Sequence, residues 1–153
     1  MTVKTFLFSV PGVVGKARPR LSRFGNVYTP KKTSDYEDMV RILARSAINE
    51  QCGGSWDLHG AVEICITAAH EIPKSWTKKK KALALSQLIK PGKPDLDNVE
   101  KIILDGLNNI AYADDSQVFS IKARKCYSIK CDRETGRDVP GEPYVFVSVT
   151  ATV

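Results

Sequence analysis

At 153 residues the chain is the size of one domain, and its 42% hydrophobic and 26% charged residues are a globular composition that excludes a disordered polymer and a membrane-embedded bundle. Lysine and arginine outnumber aspartate and glutamate by 23 to 17, and the net charge of +6 admits a polyanionic partner. No apolar run reaches membrane-span length and "MTVKTFLFSV" alternates like a strand instead of a secretory leader, so the expectation is a cytoplasmic protein of one domain, residues 1–153, with no membrane partner.

In chain order, Val3 to Val10 places Phe6, Phe8 and Val10 on one face and Val3, Thr5 and Leu7 on the other, a well-buried strand. The stretch "PGVVGKARPRLSRFGNVYTPKK" is punctuated by glycine and proline and predicts a long surface loop or loose hairpin. It carries Lys16, Arg18, Arg20, Arg23, Lys31 and Lys32. Ser34 and Glu37 have the spacing of a capping box, and Tyr36, Met39, Val40, Leu43 and Ala47 then repeat at helical intervals up to Gly53 and Gly54.

From Ala61 to Ala69, apolar and polar residues alternate as in a half-buried strand, and a short basic helix is predicted from about Thr77 to Leu88. Val99, Ile102, Ile103, Gly106, Leu107 and Ile110 form the stripe of a further helix, with Asp97, Lys101 and Asp105 on its opposite side. Phe119, Ile121 and Ala123, then Val145, Val147, Val149 and Ala151, mark two closing strands. Between them "KCDRETGRDVPGEP" reads as an exposed hairpin loop. The order β-α-β-α-α-β-β predicts an α+β fold with a four-stranded mixed or antiparallel sheet and about three helices. Cys52, Cys65, Cys126 and Cys131 lack zinc-site or CxxC spacing and read as reduced, and Trp56 and Trp76 read as packing residues.

The segment "KPDLDNVEKIILDGLNNIAYADDSQV" concentrates Asp95, Asp97, Asp105, Asp114 and Asp115 in an otherwise basic chain. Each has a structural explanation: Asp97 as an N-cap with Glu100 completing a capping box, Asp105 as an ion-pair partner of Lys101, Asp114 and Asp115 as turn residues. Together they carry more. The two acidic groups bracket a helix of about 20 Å, and a returning connection or a two-fold axis could unite them. Two ionised carboxylates about 4 Å apart repel by roughly 4 kcal/mol at an effective dielectric near 20, so a converged cluster calls for a proton or a cation. Hard oxygen donors without histidine favour Mg²⁺, with Mn²⁺ able to substitute, and such an ion can polarise a phosphate oxygen and activate water.

The segments "KPDLDNVEK", "DGL" and "DDSQV" resemble the RusA family of Holliday junction resolvases, with further similarity in "GKARPRLSRFGNVYTPKKTSDYE" and "PKSWTKKKKA" to the phage and prophage branch. The resemblance implies a homodimeric α+β endonuclease that nicks four-way DNA junctions in pairs with Mg²⁺ and no small-molecule cofactor. It also implies that Asp95, Asp97 and Asp115 are the metal-binding catalytic aspartates, Lys101 the catalytic lysine and Asp114 a supporting acid, with Asp105 structural. Pro94 stands where the enterobacterial form has arginine, and the basic residue moves back to Lys93. Lys16, Arg18, Arg20, Lys31, Lys32 and Lys93 are the expected DNA contacts. A junction-binding protein without catalysis is the alternative. A DxD nucleotide-sugar transferase is disfavoured, because it requires a nucleotide-binding βα framework that the chain lacks.

Overall fold

The computed structural model describes residues 1–152, and its elements follow the predicted order with small additions. Strand β1 (Val3–Pro11) leads through a short hairpin of β2 (Arg20–Leu21) and β3 (Val27–Tyr28) into helix α1 (Lys31–Gln51). Strand β4 (Ala61–His70) is followed by α2 (Lys78–Leu85), α3 (Leu96–Leu107) and a 3₁₀ turn at Asp115–Gln117. Strand β5 (Val118–Tyr127), the ribbon strands β6 (Ile129–Cys131) and β7 (Asp138–Pro140), and β8 (Tyr144–Thr152) complete the chain. The main sheet has the order β1-β8-β4-β5; β8 is antiparallel to both β1 and β4, while β4 and β5 are parallel, as the α+β reading with a mixed sheet requires. No helix among the described residues is long and apolar enough to cross a membrane.

Alternation in β1 and β8 buries Phe6, Phe8, Val10, Val145, Val147 and Val149 on one face, where α1 and α3 pack. The helices can approach closely because Gly106 lies against Val40. A Cβ there would stand 2.7 Å from Val40 Cγ1, nearer than atoms pack, which gives the glycine of "DGL" a packing role. The opposite face carries Leu7, Ser9, Tyr144 and Phe146, and Leu7 and Phe146 are 43% and 37% exposed. Trp56 meets Phe6 edge-on at 4.7 Å and donates its indole N–H to the Ala111 carbonyl, whereas Trp76 packs on Tyr127 beneath the Lys80 ammonium. Both tryptophans are packing residues.

Two local expectations need correction. Helix α1 begins at Lys31, three residues before Ser34, because the Pro30 carbonyl accepts from the Thr33 and Ser34 amides. Ser34 lies inside the first turn and its hydroxyl donates to the Lys31 carbonyl, while buried Glu37 turns to Lys16 and Arg41, so no capping box forms. In β5, a bulge opposite Val62 and Glu63 shifts the alternation by one residue. Ile121 and Ala123 then pair with buried Ile64 and Ile66, while Phe119 stays outside the core.

Candidate active site

At the start of α3 the backbone leaves an extended conformation at Asp95, whose carbonyl accepts from the amides of Asn98 and Val99. Asp95 is therefore the boundary residue, and Asp97 lies in the first helical turn, so the reading of Asp97 and Glu100 as a capping box does not hold. Asp95 makes no side-chain cap either. Its carboxylate instead meets Lys93 at 3.2 Å on an exposed surface. Two carboxylates thus stand at the positive end of a helix with no capping duty.

The far end of α3 is built around buried Tyr112, whose hydroxyl donates to the Leu104 carbonyl at 2.6 Å. Burial raises the Tyr112 pKa, and the negative charges of Asp115 and Asp105 raise it further, which places both acids within electrostatic reach of that ring. Beyond it, Asp114 caps the 3₁₀ turn in a true capping box with Gln117. The Asp114 carboxyl is held below the ordinary carboxylate range by the Ser116 backbone N–H first, then by the neighbouring Asp115 carboxyl and the Ser116 hydroxyl.

Gln117 is the residue that sequence reasoning passed over. Its side-chain carbonyl accepts from the amides of Ala113 and Asp114, both at 3.0 Å, and its amide group donates to the carbonyls of Leu58 and Gly60 at 2.7 and 2.9 Å. The acidic corner is thereby tied to the loop that enters β4. The D-x-x-Q spacing was the available signal, visible in "DDSQ".

Among the described residues, no three His, Cys, Asp or Glu side chains come together to hold a metal ion. Asp95 and Asp97 stand at the start of α3, and Asp114 and Asp115 open the 3₁₀ turn that follows its far end. The donors fit a hard divalent cation in chemistry, as carboxylate oxygens throughout. Lys101 lies exposed one turn after Asp97. Asp105, expected opposite Lys101, pairs with Lys16 at 2.9 Å instead.

Lys16 is consequently a strut. Its ammonium bridges Glu37 of α1 and Asp105 of α3, while its backbone N–H donates to the Asn98 carbonyl at 2.9 Å. Burial disfavours its charge, but hydrogen bonds to Asp105 and Glu37 outweigh that and raise its pKa above the ordinary lysine value. The other basic residues remain available to a ligand. Arg20, Lys32 and Lys93 line an open cleft of about 490 Å³ together with Gly15, Asp95 and Asn98. Arg18 and Lys31 are exposed beside it, and the amides at the start of α1 have no side-chain cap. Lysines at a helix N-terminus oppose its dipole, and the positive potential so concentrated suits phosphate.

Comparison with known proteins adds an independent line. The model of the endodeoxyribonuclease RusA family matches residues 11–134, a span holding the basic loop, both acidic groups and Gln117. The chain is also 36% identical over 121 residues to the uncharacterized protein YqaN of Bacillus subtilis strain 168, a match covering 75% of this chain and 82% of that protein.

Proposed function

The chain belongs to the RusA endodeoxyribonuclease family, and from that premise we propose that it is a Mg²⁺-dependent nuclease that resolves four-way DNA junctions by paired phosphodiester hydrolysis in DNA recombination and repair. The observation that carries this reading is the adjacency of acid and base at one cleft: Asp95 lines the same opening as Arg20, Lys32 and Lys93. Basic side chains grip phosphates and hold the backbone in register, while the carboxylates beyond them are useless for binding a polyanion and are therefore there for chemistry.

Asp95, Asp97, Asp115 and Asp114 are the proposed metal ligands, completed across the two-fold axis of a homodimer. Two observations support that arrangement: among the described residues no three carboxylates of one chain group to hold an ion, and one face of the sheet presents Leu7, Tyr144 and Phe146, each more than a third exposed. When bound, Mg²⁺ supplies a polarised phosphate oxygen and a water of lowered pKa, with Mn²⁺ able to replace it. Lys101 offsets the charge that develops on phosphorus, and Asp97 and Lys101 share one helix face because they are four residues apart. Arg18, Arg20, Lys31, Lys32 and Lys93 hold the DNA. Lys16, already engaged by two carboxylates, acts on the substrate only through the geometry of the helices it joins.

The alternative is a protein that binds junctions without cutting them. The observation in its favour is that no three carboxylates among the described residues group to hold one ion. Cleavage of a synthetic four-way junction with Mg²⁺, compared with linear duplex of the same sequence, distinguishes the two.

A further inference from the structure

The hairpin of β2 and β3 presents the most exposed aromatic ring of the molecule. Arg20 pairs with Tyr28 and Leu21 with Val27, and the Ser22 amide donates to the Asn26 carbonyl at 2.8 Å. Within that frame the Gly25 amide donates back to the Ser22 carbonyl at 3.0 Å, with Gly25 at φ +79°, a conformation that closes a three-residue turn at low cost only for glycine. The Ser22 hydroxyl accepts from the amides of both Phe24 and Asn26. The turn is thus hydrogen-bonded through its own residues, and Phe24 at its apex is 83% exposed. Leu21 and Val27 are each 70% exposed, and none of these side chains joins the hydrophobic core.

An apolar tip of this kind costs solvation and contributes nothing to folding, so it calls for an occupant. Its flanks say which. From Val13 to Ser34 the chain has Lys16, Arg18, Arg20, Arg23, Lys31 and Lys32 and no acidic residue, and Arg20 reaches the cleft that Asp95 also lines. Lys16 is paired with Glu37 and Asp105, but a hydrophobic peptide partner would still meet Arg18, Arg20, Arg23, Lys31 and Lys32, none of which has an ion-pair partner among the described residues. A nucleic acid would place phosphates on the arginines and a base face on the ring.

Resting on the nuclease reading, we propose that Phe24 is a stacking wedge that inserts against an unstacked base at the branch point and so selects branched over linear DNA. A continuous duplex offers no open base face, and inserting a ring there means breaking a stacked step, whereas a crossover already holds bases with a free face. The arginines beside the tip bind both forms alike through their phosphates. Phe24 supplies the difference, and the hydrogen-bonded turn keeps it projecting.

The test uses the full chain with Ca²⁺ in place of Mg²⁺ and a four-way junction carrying 2-aminopurine at the crossover, with a second probe inside one arm. Wild-type protein should change the crossover fluorescence and leave the arm probe unmoved. Phe24→Ala should lose that signal and roughly tenfold or more of its junction affinity, a larger loss than on duplex, with the salt dependence of binding retained. Phe24→Trp should restore both. A Phe24→Ala protein that keeps the crossover signal and the wild-type preference for junctions overturns the wedge alone. Wild-type protein with no preference for junctions over duplex overturns the underlying nuclease reading instead.

Discussion

Lys16 Nζ lies 2.9 Å from Asp105 Oδ2 and at the same time binds Glu37, so a single ammonium in the basic loop locks α1 to α3. Removing it by Lys16→Ala leaves Glu37, whose side chain is 11% exposed, without its closest counter-charge. Losing one partner of a fully buried pair costs about 3–5 kcal/mol, and the partial exposure of this one brings the expected loss to roughly 2 kcal/mol. Denaturant unfolding measures it. The folded pKa of Lys16 is raised, so its contribution is complete below the unfolded value of 10.5 and disappears as pH climbs through the higher folded one. The stability difference between wild type and Lys16→Ala should therefore be flat from pH 6 to about pH 9 and shrink in stronger alkali.

Gln117 holds the acidic corner through four hydrogen bonds without itself carrying charge. Gln117→Ala should cost roughly 2–3 kcal/mol, since two backbone amides and two carbonyls lose a partner and some regain it from water. Cleavage should fall by more than DNA affinity does, because the substitution loosens Asp114 and Asp115 and leaves the basic cleft alone. Equal losses in cleavage and in affinity would remove the positioning role.

His70 supplies a pH test that is independent of the acids. It is buried with Nε2 lacking a partner, in a small cavity that also holds Glu71, Lys93 and Tyr127, and burial followed by the charge of Lys125 lowers its pKa below 6.5. The unfolded chain takes up the proton first, so stability is complete above about pH 6.5 and falls as acidification proceeds toward the folded value. His70→Phe should flatten that limb of a pH-stability curve measured by thermal melting. An unchanged limb would assign the acid sensitivity to other groups.

Leu7 and Phe146 test the assembly. Phe146→Asp places a charge in the exposed apolar face of the sheet and should convert a dimer to monomers by light scattering while circular dichroism stays native. Metal-dependent cleavage should be lost in the monomer if the carboxylates of two chains complete one cage. A monomer that cuts at the wild-type rate would place the whole site in one subunit.

Much of this was legible in the sequence, for physical reasons that differ by element. The alternation in β1, β4 and β8 and the apolar stripe of α3 are period signals, and the burial of Phe6, Ile64, Ile102 and Val147 follows them directly. Local chemistry was less readable. The Ser34 pattern placed the start of α1 three residues late, because a carbonyl preceding the box, that of Pro30, had already opened the helical ladder. Lys16 resembled its basic neighbours in composition, and only the packing of α1 on α3 brings two carboxylates to it. The acids of α3 and the following turn could be recognised as a set, but the path that links them runs through the hydrogen bonds of Tyr112 and Gln117, which no spacing rule encodes.

The most direct test of the central claim is single-turnover incision of a labelled four-way junction with Mg²⁺ by wild-type protein and by Asp97→Asn. Paired nicks near the crossover by the wild type, much faster than on linear duplex, together with an Asp97→Asn protein that binds the junction and leaves it intact, are the predicted outcome. Equal cutting of linear duplex, or undiminished incision by Asp97→Asn, would contradict it.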